Sequence, residues 1–165
     1  MTPIHVYPAR TDITLCKRLR TASDRTHRAC VAKKKSSLLA KNEDMLIAAA
    51  CGHTKTMATL LQKRGLNVNA LGQPGNVSAL GIAAAVGNTD MTRLLLVSKA
   101  DINHKDDNTR TPLMNASMEG RDQAVGVLLE FKADANAQSR TGQTALALAA
   151  YRGHSSPWAI WWSNW

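Results

Sequence analysis

Thr111-Pro112-Leu113-Met114-Asn115-Ala116-Ser117-Met118-Glu119-Gly120 is the stretch on which the fold turns. Thr111 stands where a hydroxyl caps a helix, and Pro112 takes the first helical position, where a missing N–H costs nothing. Small and apolar residues fill the short helix that follows. Gly120 ends it, in a left-handed conformation that strains glycine least. Asp122 to Phe131 then reads as a second, amphipathic helix with Val125, Leu128 and Leu129 on one face. Beyond it, Ala133-Asp134-Ala135-Asn136 and the polar stretch to Thr141-Gly142 carry turn residues. The unit is helix, turn, helix, β-turn.

The same unit recurs outward from this stretch. Gly52, Gly87, Gly120 and Gly153 are spaced by 35, 33 and 33 residues. Seven residues before each glycine stand Met45, Leu80, Leu113 and Leu146; four before stand Ala48, Ala83, Ala116 and Ala149. Three before stand Ala49, Ala84, Ser117 and Ala150, and eight and nine after stand Leu60-Leu61, Leu95-Leu96, Leu128-Leu129 and Trp161-Trp162. A unit of this size cannot bury its apolar face alone, so copies must stack into a quasi-one-dimensional solenoid. The expected fold is all-α over residues 41–165, with repeats at 41–72, 73–106, 107–139 and 140–165.

Period and signature resemble ankyrin repeats. Thr111-Pro112-Leu113-Met114-Asn115-Ala116 and Thr144-Ala145-Leu146-Ala147-Leu148-Ala149-Ala150 resemble T-P-L-H-x-A, and Gly153-His154 resembles the following G-H. Lys99-Ala100-Asp101-Ile102-Asn103 and Lys132-Ala133-Asp134-Ala135-Asn136 resemble the G-A-D-V-N segment, with Gly65-Leu66-Asn67-Val68-Asn69 a looser version. The departures matter too. Leu46, Gly81, Met114 and Ala147 stand where the pattern has His, so its side-chain hydrogen bonds are lost at about 1 kcal/mol each. Lys99 and Lys132 replace a left-handed glycine, and extra residues fall near Arg64 and in the Gly72-Gln73-Pro74-Gly75 turn. The array is expected to be moderately stable.

The 165 residues carry a net charge of +9, which suggests polyanions as partners until its distribution is read. Residues 1–40 hold nine basic and two acidic residues, a net +7, leaving the repeats at +2. This basic segment is expected to be disordered or partly capping, with Val31 to Lys41 as a short capping helix. It loosely resembles an organellar transit peptide. Within it Arg18-Leu19-Arg20-Thr21-Ala22-Ser23 resembles a basophilic kinase site with Ser23 as acceptor, and Lys33-Lys34-Lys35 a minimal nuclear localisation cluster. Lys17 to Lys35 includes no aromatic residue, so nucleic-acid binding there would be weak, nonspecific and salt-sensitive. Cys16, Cys30 and Cys51 form no C-x-x-C pair, so neither a disulfide framework nor a zinc site is encoded. A reducing compartment follows, with cytoplasmic or nuclear residence as the expectation. The longest apolar runs, Met45 to Cys51 and Ala79 to Val86, fall short of the roughly 18 residues a membrane span needs.

Solenoid ends need polar caps. Asn42, followed by Glu43 and Asp44, reads as the N-cap of the first helix. At the other end Trp158, Trp161, Trp162 and Trp165 share one helical face after Ser156-Pro157. Three readings stand: the tryptophans fill the Leu-Leu core positions, they form an exposed patch for a partner, a second copy or a membrane surface, or the end did not evolve with the repeats.

No catalytic or phosphate-cradling motif is recognisable, and no cofactor or metal is implied. His53 and His154 share one offset after their glycines and read as structural; Asp106 and Asp107 read as a solvated turn tip. The resemblance implies binding of a protein partner on the concave face, where the two residues before each glycine vary: Ala50 and Cys51, Ala85 and Val86, Met118 and Glu119, Tyr151 and Arg152. Asp106, Asp107, Asn108, Arg110, Ser139 and Arg140 add the turn tips. Val86, Asp107, Asn108, Arg110, Met118, Glu119, Arg140, Tyr151 and Arg152 are the candidate contacts. The leading expectation is a non-catalytic interaction module, a scaffold or adaptor. Two alternatives stand beside it: a regulatory factor whose basic tail contacts nucleic acid or an acidic membrane while the repeats recruit a protein, and a truncated or alternative product of a longer repeat protein.

Overall fold

The computed structural model describes residues 38–62, 66–72 and 75–154, and for residues 38–43 the backbone only. Helices come in pairs: α1 (Leu38–Cys51) with α2 (Thr54–Gln62), α3 (Ala79–Val86) with α4 (Thr89–Val97), and α5 (Pro112–Met118) with α6 (Asp122–Glu130). Helix α7 (Ala145–Tyr151) follows. Between the first two pairs, β1 (Leu71–Gly72) and β2 (Val77–Ser78) form a short antiparallel ribbon, with Leu71 opposite Ser78 and Gly72 opposite Val77. The first helices of successive pairs pack in one row, α1 on α3 on α5 on α7, and α2, α4 and α6 form a second row behind them. No helix among the described residues is long and apolar enough to cross a membrane.

Side-chain oxygens fix the start of three inner helices. Ser78, Thr111 and Thr144 accept from the backbone N–H groups of Gly81, Met114 and Ala147, each cap stabilising its helix by about 1 kcal/mol. The first repeat departs from the sequence expectation. Helix α1 already begins at Leu38, so Asn42 lies inside it and does not cap it. The run Leu38-Leu39-Ala40-Lys41 consists of strong helix formers, and this propensity carries the helix through the asparagine. The residue extra to the first repeat near Arg64, the Trp-rich end and Ser23 lie outside the described residues.

Burial follows the periodic positions through the first three repeats, whereas in the fourth Leu146 is half-buried and Ala150 exposed. Met45, Leu80 and Leu113 are fully buried, as are Ala49, Ala83, Ala84 and Ala116, while Leu95 and Leu128 seal the outer row. Alanine at these offsets lets neighbouring inner helices approach closely, and each buried Leu or Met then contributes about 1.5–3 kcal/mol. Lys99 and Lys132 do adopt the left-handed conformation (φ 67° and 65°), costing about 1 kcal/mol each relative to glycine.

Successive repeats are joined by polar contacts at two fixed places. The residue after the glycine reaches back to a main-chain carbonyl of the repeat before: Asn88 Nδ2 to Gly52 at 3.5 Å, Arg121 Nε to Ala85 at 3.2 Å, His154 Nε2 to Met118 at 3.1 Å. Its side chain also lies over the preceding glycine. A Cβ on Gly87 (φ +84°) would meet Arg121 Cδ at 2.7 Å, and one on Gly120 (φ +64°) the His154 ring at 2.7 Å. The second place lies after the outer helices, where Asn69 Oδ1 accepts from Asp101 N and Asn103 Oδ1 from Asp134 N, at 2.8 and 2.9 Å. On the outer row Arg93 makes a forked pair with Glu130, its shorter arm 2.8 Å.

Two predictions follow from this packing. Ser117 is fully buried with its hydroxyl unpartnered, where Ala49, Ala84 and Ala150 stand in the other repeats. Ser117→Ala is expected to stabilise the protein by about 1 kcal/mol, read as a higher midpoint in urea denaturation. The hydrogen bond from Arg93, more than its charge, holds the Glu130 carboxyl below its ordinary 4.5, although desolvation works against it. Its stabilising effect is therefore present above that ordinary value and lost as pH falls through the lowered one. Thermal melts of Glu130→Gln beside the parent should show a slightly lower midpoint at neutral pH and convergence in acid. Salt should shrink the difference, since the pair is exposed.

Candidate partner-binding surface

The inner helices expose the residues just before each glycine, because the Ala-Ala pair preceding them is spent on packing. On α7, Tyr151 is 79 % exposed and Arg152 beside it is exposed too. Val86, Met118 and Glu119 are half-buried, and so are Ala50 and Cys51. Ala85 is different: it is 7 % exposed and its carbonyl is taken by Arg121, so it belongs to the repeat junction. In the first three repeats the position five before the glycine also reaches this surface, with Ile47 36 % exposed and Ile82 and Asn115 half-buried, whereas Leu148 in the fourth is buried. Residue variation at that offset, Ile, Ile, Asn and Leu before a constant alanine, was the available signal for it.

The turn tips form a second part of the surface, and they are bonded into a row. Asp107 N–H donates to Gly75 O at 3.0 Å, joining the second and third repeats, and within the second repeat His104 Nε2 lies 2.9 Å from Asn76 O. Arg140 N–H donates to Asn108 O at 3.2 Å, and the Arg140 guanidinium donates to Asp107 O, joining the third and fourth. Thus Asp107, Asn108 and Arg140 come together in one connected strip, their side chains exposed. Ser139 is turned inward on its own tip, where its Oγ accepts from Gln143 N. Asp106 does the same: its Oδ1 accepts from the N–H groups of Asn108 and Arg110, both at 2.9 Å. That internal use fits a turn-forming carboxylate. No cluster of His, Cys, Asp and Glu suited to a metal is present among the described residues.

The third tip is strained. Thr109 has φ +54° and a buried hydroxyl without a partner, whereas Asn76 and Gly142 occupy the equivalent left-handed position in the neighbouring tips. A β-branched residue is poorly suited to that conformation. Thr109→Gly is expected to raise stability by about 1 kcal/mol and the thermal midpoint by several degrees.

Residues 80–157 match the family described as Ankyrin repeats (3 copies). The chain is similar to Ankyrin repeat and SOCS box protein 6 of Mus musculus, 39% identical over 113 residues, which cover 66% of this chain and 27% of that protein. It is also similar to Dauer abnormal formation protein 25 of Caenorhabditis elegans, 35% identical over 88 residues (53% of this chain, 23% of that protein). Protein phosphatase 1 regulatory subunit 12A of Mus musculus is 36% identical over 72 residues (44% and 7%). The chain spans less than a third of the length of each of these relatives. Its paired helices and tips are ankyrin repeats.

Proposed function

We propose that the chain is a non-catalytic interaction module, an adaptor or regulatory subunit of the cytoplasm or nucleus, that grips a protein partner along its inner helices and turn tips. Ankyrin arrays serve protein–protein interaction, and one relative of this chain is named as a regulatory subunit of protein phosphatase 1. The observation that carries the reading is Tyr151, 79 % exposed on the last turn of α7, beside exposed Arg152 and in the same inner row as Met118. Tyr and Arg dominate binding energy where interfaces exclude water, and their exposure here has no role in packing.

Met118, Tyr151 and Arg152 changed together to Ala test this. Partners captured by proximity labelling in cells are expected to disappear with the triple variant, and the affinity of a purified partner should fall at least about tenfold. Undiminished affinity in a variant whose circular dichroism matches the parent would overturn the inner face as the binding site.

A further inference from the structure

Each inner helix has a leading side, which meets the helix before it, and a trailing side, which meets the helix after it. These sides pair three times within the chain, α1 with α3, α3 with α5 and α5 with α7. Among the described residues two sides are left over, the leading side of α1 and the trailing side of α7. The trailing side carries the positions seven, six and three before the glycine, which share one helical face. In the second and third repeats these are Leu80, Gly81 and Ala84, and Leu113, Met114 and Ser117, all buried. In the fourth they are Leu146, half-buried, with Ala147 and Ala150, both exposed. The leading side carries the positions eight and five before the glycine. At the first of them Ala79, Pro112 and Ala145 are buried, whereas Asp44 is exposed. At the second, Leu148 is 4 % exposed, Ile82 and Asn115 are half-buried, and Ile47 is 36 % exposed.

The ladder of loops behind the outer helices ends in the same way. Its rungs run from the first residue of one turn to the asparagine that ends the turn before, Asp101 N–H to Asn69 Oδ1 and Asp134 N–H to Asn103 Oδ1. The three turns are closed alike, the N–H groups of Asn69, Asn103 and Asn136 donating to the side chains of Asn67, Asp101 and Asp134. Half a rung therefore remains at each end. Among the described residues Asn136 Oδ1 is an acceptor without a donor and Asn67 N–H a donor without an acceptor, and both residues are exposed.

We propose that a second copy of this chain docks here head to tail, the leading side of its α1 on the trailing side of α7, so that the solenoid continues from one molecule into the next. The two open sides then repeat a contact that the chain already makes three times. Ile47 of the second copy meets Ala147 and Ala150, small residues that let a helix approach closely, and Asn136 Oδ1 receives the N–H of Asn67 as the next rung. Asp44 stands at the tip end of this contact, and the exposed Arg140 of the fourth tip carries the opposite charge. Removing apolar surface from water and pairing two unused main-chain and side-chain groups both favour the docked state. A contact between two different faces does not close on itself, so assembly is open-ended and its size follows concentration.

The test is sedimentation velocity on the full chain over a wide range of concentration. The weight-average mass is expected to climb steadily with concentration and to pass that of a dimer. Ile47→Glu on the leading side and Ala150→Glu on the trailing side should each weaken association at least about tenfold, since each puts an unpaired charge into the contact. Ala147→Glu serves as the trailing-side variant if Ala150→Glu loses the circular dichroism of the parent. Mixed in equal amounts, a leading-side and a trailing-side variant should form a one-to-one dimer and nothing larger, because each keeps the face that the other has lost. A parent chain that stays monomeric throughout, or one that stops at a symmetric dimer, overturns the proposal. So does association that survives both charges, as contact through the Trp-rich end would give, and so does a mixture of folded variants that stays monomeric.

Discussion

The close approach of one inner helix to the next sets nearly every other feature of this array. Helices α1, α3, α5 and α7 meet through Ala48 and Ala49, Ala83 and Ala84, Ala116 and Ser117, and Ala149. Larger residues there would push the repeats apart and break the main-chain contacts that join them. Close packing explains why the exposed positions are so few, why they cluster in the last turn of each inner helix, and why the tips lie near enough to bond to one another. It also explains the burden of Ser117, whose hydroxyl has entered a contact with no room for a partner.

The periodic part of this fold was legible because it arises from local rules. Glycine spacing and the Thr111 cap with Pro112 follow from a residue's own conformational preference, and the Leu pairs of the outer helices from helical periodicity, whereas Lys99 and Lys132 go against theirs and were legible only by their place in the repeat. What needed the third dimension was whatever joins two repeats. Nothing in Asn88, Arg121 and His154 as letters says that an amide, a guanidinium and an imidazole serve one contact. Asn42 misled because its capping preference was local, and the stronger helix formers upstream of it were the competing local signal.

The exposure of the candidate surface was legible in part. Tyr151 and Arg152 are exposed, as expected of variable positions before the glycine, whereas Ala85 at the same offset is buried beneath Arg121. Asp107, Asn108 and Arg140 were read as separate tip residues and are held in one strip by main-chain bonds.

The three junction contacts are chemically unequal, and that bears on how the array opens. Asn88 makes a long 3.5 Å bond, whereas Arg121 and His154 make shorter ones and cover their glycines more fully. In a one-dimensional stack the coupling between neighbours governs cooperativity, so the weakest junction is where the protein divides into separately melting parts. The first repeat sits behind that junction. Fluctuations would peel it away while the third and fourth repeats stay together, so the array yields from one side instead of dissolving as a whole.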